Sequence, residues 1–330
     1  MAGGIVCGVD DLSDARRAVG VAVELAADLS KPLLLVHVTK GDPSFPYGDR
    51  AGRERRRHAV WRIARSAFAV LRRDECLPTD AQERIETGDP AMELAALARK
   101  ERAAFIVVAS RGRGEIASAL RGSVSDSLER VAPCPLVVVP RRAQRARPRT
   151  ARRASIVCGI ADPQTETGLV KLAADLAGVV SARLEVVHAD SEHGLDGPGP
   201  ATPTAGVWPP EPDPYGQRPL ARLEAAMHLA EAHGVPAGGR LAVGPAALAL
   251  DRVARREDAR LIVIGSRRGG RLRSLVRGSI SRQLAQVGTT PVVIVPQHAD
   301  GYVDRRSPPS DDVHDEKIES HSEPYSAALR

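Results

Sequence analysis

The chain has 330 residues, of which 43% are hydrophobic, 27% charged and 3% aromatic, and its formal net charge is +6 with a pI of about 9.4. This length and composition indicate a globular protein of two ordinary domains whose cores are built from Ala, Val, Leu and Ile. No apolar run reaches the roughly 20 residues of a membrane span, and no charged start followed by an apolar segment opens the chain. These features exclude the membrane class and favour a cytoplasmic protein.

The four cysteines are Cys7, Cys76, Cys134 and Cys158. None of them lies in a CxxC pair or in a Cys/His cluster, so the sequence predicts no metal site. Cys7 and Cys158 lie inside apolar runs, where a free cysteine is usually a buried core residue. This usage agrees with a reducing compartment.

The first elements alternate between strands and helices. Gly4–Val9 is a short apolar run typical of a buried parallel strand. Ser13 or Asp14 can cap the helix that follows it. The apolar face of that helix consists of Ala18, Ala22, Leu25 and Leu29. Further along, Asp89 suits the N-cap of another helix and Pro90 its first position. The apolar residues after that cap are Met92, Leu94, Ala95 and Leu97.

The second half of the chain repeats the first at a distance of roughly 150 residues. The matching segments are Gly4–Val9 with Ser155–Ile160, Leu34–Val38 with Glu185–Ala189, Phe105–Arg111 with Leu261–Arg267, Arg121–Ser125 with Arg277–Ser281, and Cys134–Pro140 with Thr290–Pro296. Strands separated by helices imply right-handed βαβ crossovers and a parallel sheet. The sequence therefore predicts an α/β fold of two tandem doubly wound, Rossmann-like domains over 1–140 and 155–296, each with five parallel strands and four helices.

Three segments lie outside the repeat. The linker 141–154 contains seven arginines. It lacks the aromatic residues and recognition modules of nucleic-acid-binding segments, so we expect a solvated connection. Residues from about 190 to 219 are rich in Pro and Gly and are predicted to lack regular structure. The polar tail 297–330 is acidic between Asp311 and Glu323 and is predicted to be disordered.

Two glycine segments follow the fourth predicted strand. Phe105–Ala109 leads into Ser110–Gly114, and Gly122–Ser125 comes about ten residues later, where a new helix should start. The amino end of a helix presents unpaired N–H groups and a positive dipole end, and glycine allows an anion to approach the backbone closely. Ligands of parallel α/β sheets bind beyond the carboxyl ends of the strands, where Asp10 also lies. The sequence therefore predicts a site for a phosphate-bearing small molecule.

Enzyme motifs do not account for these segments. The chain contains no GxGxxG after its first strand, no GxxxxGK[ST], no GxSxG elbow at Gly122 and no HExxH. His37 and His188 occupy matching strand positions and are interpreted as packed structural residues. We therefore assign no catalytic residue and no metal ligand from the sequence.

The glycine segments resemble the nucleotide signature of the universal stress protein family: a Gly, two residues, a Gly, nine residues, then Gly-Ser after the fourth strand. An Asp at the end of the first strand and a Pro-Val-Val-Val type final strand also match. The resemblance covers both halves, as in the tandem type of the family. It implies an adenine nucleotide alpha hydrolase-like fold and a first half that binds ATP, with Mg²⁺ as a further expectation. The residues carried over are Gly8, Val9, Asp10, Val38, Val108, Ala109, Arg111, Gly112, Gly122, Ser123, Val124 and Ser125.

The second half departs further from this signature than the first. In the first half, Ala109 stands at the first glycine position. In the second half Gly265 keeps that glycine, but Arg268 replaces the next one and Ala161 replaces the Asp. We therefore expect the second half to bind nucleotide weakly or not at all. Its candidate residues are Gly265, Gly278, Ser279, Ile280 and Ser281.

The resemblance implies a stress-response or signalling protein in which ATP shifts a conformation or a partner interface. Any enzymatic activity is expected to be at most slow ATP hydrolysis or self-phosphorylation at Ser123 or Ser125. Two alternatives stay open, namely a nucleotide-free interaction module of the same fold and an enzyme of the wider adenine-binding group.

The final strands, Leu136–Val139 and Val292–Ile294, are apolar and are predicted to lie at sheet edges, where unpaired strands are a liability. In the family this strand pairs domains. We therefore expect the two halves to pack as an internal pseudo-dimer, with a homodimer as a further assembly.

Overall fold

The computed structural model describes residues 3–10, 12–39, 50–74, 77–110, 124–143, 155–161, 166–190, 214–266 and 280–296. The elements of the first half are β1 (Ile5–Val9), α1 (Leu12–Asp28), β2 (Leu33–Thr39), α2 (Arg50–Asp74), β3 (Gln82–Thr87), α3 (Pro90–Lys100), β4 (Phe105–Ala109), α4 (Val124–Val131) and β5 (Leu136–Val139). Those of the second half are β6 (Ser155–Ile160), α5 (Thr167–Val179), β7 (Arg183–Asp190), α6 (Pro214–Ala232), β8 (Ala237–Val243), α7 (Ala246–Arg256), β9 (Ala259–Gly265), α8 (Ile280–Val287) and β10 (Val292–Val295). Within the described ranges each half thus holds the five strands and four helices that the repeat predicts.

All ten strands belong to one sheet, in the order β3-β2-β1-β4-β5-β10-β9-β6-β7-β8. Pairing within each half is parallel, which confirms the predicted doubly wound fold. The two halves meet where β5 and β10 pair antiparallel, with Val137 opposite Val293. Neither strand is therefore an open edge, and the backbone groups of both are satisfied across the boundary.

Two hydrophobic clusters cover the two faces of this sheet. Successive side chains of a strand point to opposite faces, so Cys7 belongs to one cluster and its neighbour Val6 to the other. The first cluster packs against α1 and α5, for example through Ala22 and Ala173, and the second against α3 and α7. Each cluster contains residues of both halves, so the core continues across the β5–β10 boundary.

Two predicted helix starts have different outcomes. The Asp89 carboxylate accepts hydrogen bonds from the backbone N–H groups of Ala91 and Met92 at 3.0 and 3.1 Å, and Pro90 opens α3, so this cap is confirmed. Helix α1, however, begins at Leu12, which places Asp14 inside the first turn rather than at the cap. Its carboxylate pairs with the Arg17 guanidinium one turn on.

In α3, Met92 is 56% exposed on the solvent side of the first turn, whereas Leu94, Ala95 and Leu97 are buried. One expectation about the second half was wrong. Helix α6 begins at Pro214, so residues 214–219 are helical and the irregular stretch predicted to reach residue 219 ends earlier. Proline suits the first turn of a helix, which reconciles this start with the Pro-rich composition.

Polar contacts also cross between the halves. Arg260 on β9 pairs with Asp28 at the end of α1 at 2.6 Å, and Arg282 on α8 pairs with Asp126 on α4 at 3.0 Å. The Ser281 hydroxyl donates to the Glu129 carboxylate at 2.9 Å. Helices α4 and α8 are thus linked side chain to side chain, next to the strands that join the halves.

Other segments of the sequence analysis lie outside the description. Residues 144–154 of the arginine-rich linker, residues 191–213 of the Pro-rich stretch and the tail 297–330 are not among the described residues. Across the parts of the chain that the structure describes, none of the helices combines the length and the apolar character needed to cross a membrane.

Candidate functional site

The first-half crevice lies between β1 and β4, where the strand order reverses. The register pairs these two strands from Ile5 with Phe105 to Cys7 with Val107. Beyond that point come Gly8, Val9 and Asp10 on one side, and the end of β4 on the other. Open parallel sheets bind ligands at such a point, because the two crossover connections leave in opposite directions and the strand ends are uncovered.

The packing around Gly8 leaves little room for a side chain. A Cβ atom built on Gly8 would lie 3.0 Å from Leu94 Cδ1 and 3.2 Å from Val108 Cγ1. The glycine therefore lets α3 approach the sheet just below the crevice. Val108 itself is buried, so its side chain supports the wall of the crevice from within the core.

The end of β1 is tied to β2 by a histidine. His37 Nδ1 lies 2.8 Å from the Val9 carbonyl oxygen. A carbonyl can only accept, so Nδ1 carries the proton and donates it. His188 makes the matching bond to the carbonyl of Ile160 at 3.1 Å in the second half. Both histidines thus hold the two strands of a crevice wall together, which agrees with the structural role predicted for them.

The other predicted residues of the first site are distributed as follows. Asp10 is exposed directly after β1, whereas Val38 is half-buried on β2 and packs against the second cluster. Ala109 is half-buried at the end of β4. Val124 opens α4 and Ser125 follows it, both half-buried. The positions Arg111, Gly112, Gly122 and Ser123 lie outside the described residues.

The second crevice, between β6 and β9, contains a carboxylate that the sequence reasoning missed. Glu166 Oε2 accepts a hydrogen bond from the Ala161 N–H at 2.7 Å. A Cβ atom on Gly265, at the end of β9, would lie 3.4 Å from Glu166 Oε1. The only sequence signal for this placement is an acidic residue a few positions after a strand end, at a position that is Ala15 in the first half.

The remaining predicted residues of the second site are partly engaged elsewhere. Ile280 opens α8 and packs against the second cluster. Ser281 is buried and donates its hydroxyl to both carboxylate oxygens of Glu129, at 3.1 and 2.9 Å. Gly278 and Ser279 lie outside the described residues. Contacts between distant parts of the chain, such as Ser281 with Glu129, leave no signal in a single sequence.

Burial raises the pKa of one carboxyl group at the interface between the halves and of three thiols in the core. Burial raises the pKa of Glu129, while the hydrogen bond from Ser281 opposes that shift. Burial also raises the pKa of the Cys7 and Cys134 thiols to about 12. It raises the pKa of Cys158 as well, and the negative charge of Glu166 adds to that shift. These thiols stay protonated near neutral pH, so they are core residues rather than nucleophiles.

Within the described ranges, no group of three or more His, Cys, Asp or Glu side chains is placed to hold a metal ion.

Comparisons with known proteins agree with this architecture. A profile of the universal stress protein family matches residues 1–140 and 153–296. A universal stress protein of Mycobacterium tuberculosis is 28% identical over 309 residues, which are 89% of this chain and 97% of that protein. The crystal structure of a universal stress protein from Archaeoglobus fulgidus matches with a TM-score of 0.59 at 14% identity, covering 89% of this chain and 96% of that one. A shorter protein of the same organism, solved in complex with dAMP, covers 43% of this chain and 97% of its own, with 21% identity and a TM-score of 0.32.

Proposed function

This chain belongs to the universal stress protein family, and we propose that its first half binds an adenine nucleotide, ATP with Mg²⁺. The observation that carries the proposal is the reversal of strand order between β1 and β4, with Asp10 on the β1 side and the amino end of α4 following β4. Such a crevice offers a carboxylate to sugar hydroxyls and helix amides to phosphates within one small volume.

The described residues suit this ligand chemically. The Asp10 carboxylate can accept hydrogen bonds from ribose hydroxyls, which a neutral residue could not do as strongly. The α4 amino end, with Ser125 in its first turn, supplies backbone N–H groups and the positive end of the helix dipole. When bound, Mg²⁺ neutralises part of the phosphate charge. The proposed contacts of Arg111, Gly112, Gly122 and Ser123 complete the phosphate side.

We further propose that nucleotide occupancy acts through α4. This helix carries Ser125 and Asp126 in its first turn and Glu129 one turn later, and Asp126 and Glu129 contact Arg282 and Ser281 of α8. A shift of α4 on phosphate binding would strain these contacts between the halves. In this proposal the chain signals by changing its shape for a partner, and any ATP hydrolysis or self-phosphorylation is slow and secondary.

The same contacts support an internal pseudo-dimer of two domains, 1–140 and 155–296, joined by the linker 141–154 and followed by the tail 297–330. The antiparallel pairing of β5 with β10 is the kind of two-fold contact that identical domains make. Limited proteolysis with mass spectrometry should cut first within the linker and the tail. Early cleavage inside either proposed domain, other than in the Pro- and Gly-rich stretch that begins near residue 190, would contradict this division.

Equilibrium dialysis of the full chain with radiolabelled ATP and excess Mg²⁺ tests the ligand. Asp10→Ala is expected to weaken binding by about tenfold or more, because one charge-assisted hydrogen bond contributes about 1.5–3 kcal/mol. The matched control is Asp80→Ala, since Asp80 is exposed in the turn before β3, at the opposite edge of the parallel sheet. Equal affinities for all three proteins, or no binding by any of them, would refute the proposal.

A nucleotide-free interaction module is the alternative function, and one observation in the second half favours it there. The Ala161 N–H and the Ser281 hydroxyl, two groups that a nucleotide would use, already bind carboxylates of the chain itself. We therefore assign nucleotide binding to the first half and an interaction role to the second.

A further inference from the structure

In the second crevice, a single carboxylate, that of Glu166, contacts both walls. Glu166 Oε2 receives the Ala161 N–H at 2.7 Å at the end of β6. Its other oxygen, Oε1, lies 3.4 Å from the position that a Cβ atom would take on Gly265 at the end of β9. Ala161 directly follows β6 and Gly265 ends β9, and the strand order of the second half reverses between these two neighbouring strands. The Glu166 side chain therefore spans the crevice rather than pointing away from it.

We propose that Glu166 is the residue that closes the second crevice to anionic nucleotides and so limits the chain to one bound nucleotide. This inference rests on the proposed function of the first half, and it names the residue that makes the two halves differ in nucleotide binding. The carboxylate takes the space beside Gly265 and occupies the Ala161 N–H, a donor that a ligand would otherwise use.

The placement of Glu166 is not explained by helix capping. Glu166 is the residue before α5, and among the described residues its side chain caps no amide of that helix. Its backbone carbonyl accepts a hydrogen bond from the Val170 N–H at 3.1 Å, and this helical bond does not involve the side chain. The side chain is therefore not needed to cap α5, and its removal should leave α5 in place.

The first half lacks such a group at the equivalent position. Val9 and Ile160 end equivalent strands, and Ser30 and Ser181, with φ of 51° and 52°, lie in the turns directly after the equivalent helices α1 and α5. This alignment places Ala15 opposite Glu166. Ala15 is 1% exposed and carries no charge, so the first turn of α1 leaves the first crevice without an internal carboxylate at this point.

Negative charge at two places opposes a phosphate group in the second crevice. A phosphate group there would lie within a few ångströms of Glu166, and like charges at that distance repel each other. Glu129 of the first half adds a second carboxylate, held by Ser281 at the amino end of α8. The helix end that could attract a phosphate is thus already neutralised by a negative charge.

The test counts nucleotides on the full chain by equilibrium dialysis with radiolabelled ATP and excess Mg²⁺. The native chain should bind one ATP, and Glu166→Ala, which restores the residue of the first half, should bind two. Glu166→Gln keeps the size and removes the charge, and it should tighten the second binding event by about tenfold or more. The matched control is Glu224→Ala, since Glu224 is exposed on α6, and it should still bind one.

Adding Asp10→Ala to Glu166→Ala should weaken the first binding event and leave the second. Two ATP on the native chain, or one ATP on both Glu166 variants, would overturn the inference while leaving the proposed nucleotide binding of the first half intact. No ATP on the native chain would overturn the proposed function and this inference with it. If circular dichroism shows that Glu166→Ala does not fold, the number of ATP molecules bound by Glu166→Gln decides instead.

Discussion

Gly159→Ala is expected to destabilise the chain, although it adds a single methyl group to a strand. A Cβ atom on Gly159 would lie 2.9 and 3.0 Å from the two methyl carbons of Leu250 and 3.3 Å from Ile264 Cγ2. Leu250 is a core residue of α7 and is 3% exposed. The added atom must therefore push α7 away from β6, or force Leu250 out of a relaxed rotamer.

The magnitude follows from two opposing effects. Overpacking a core by one methyl group costs about 1–3 kcal/mol. Replacing glycine also lowers the conformational entropy of the unfolded chain, which stabilises the folded state by about 0.4–1 kcal/mol. We therefore expect a net loss of about 1–2 kcal/mol in the free energy of unfolding. Gly8→Ala should act in the same direction, because Leu94 and Val108 stand in the equivalent positions of the first half.

Urea denaturation followed by circular dichroism measures this loss, with Gly178→Ala as the matched control. The Cβ atom of that variant would lie 3.6 Å from Val235 Cγ2, an ordinary contact, inside α5. Alanine favours a helix over glycine by about 1 kcal/mol, so the control should be neutral or stabilising. In a double-mutant cycle, Leu250→Val should partly rescue Gly159→Ala. Equal effects of the two glycine substitutions, or strict additivity in the cycle, would refute this reasoning.

Three further predictions concern a cap, an interface and the core. Asp89→Ala should cost about 1 kcal/mol in urea denaturation, because it removes the acceptor of two helix amides; an unchanged midpoint would contradict the cap. Burial raises the pKa of Glu129, so its ionised form costs the folded state stability increasingly as pH rises from the unfolded-state pKa to the folded one. Glu129→Gln, which keeps an acceptor for Ser281, should therefore raise the melting temperature more at about pH 7 than at about pH 4, and equal shifts in calorimetry would disprove the linkage. The thiols of Cys7 and Cys134, with pKa raised to about 12, should react with a thiol reagent only after denaturant is added; labelling of these peptides in the native chain, read by mass spectrometry, would show that they are not buried.

Local sequence patterns predicted the strands best where both faces of the strand are buried. The strands β1, β4 and β5 are covered by helices on both faces, so each is a continuous apolar run that stands out in the sequence. Asp89 before Pro90 predicted the start of α3, because capping depends on neighbouring residues alone. An apolar residue type alone does not say which side of a helix faces the core, and Met92 of α3 is exposed.

The candidate site was predictable only in part. A carboxylate after the first strand and a helix start after the fourth are local features, and Asp10 and the start of α4 lie where these features indicate. Glu166 and Glu129 were missed because their partners are set by the path of the chain. Glu129 meets Ser281 only because the two halves face each other, and the two residues are far apart in the sequence.

The sequence by itself determined a duplicated α/β chain with parallel strands in each half, because the alternation of apolar runs and helical patterns is a local property repeated twice. The tertiary structure alone decided that β5 and β10 pair antiparallel, so that all ten strands form one sheet, and that the Glu166 carboxylate contacts both walls of the second crevice. The physical reason is that strand pairing across a boundary and the direction of a side chain depend on packing between distant segments, which no local pattern encodes.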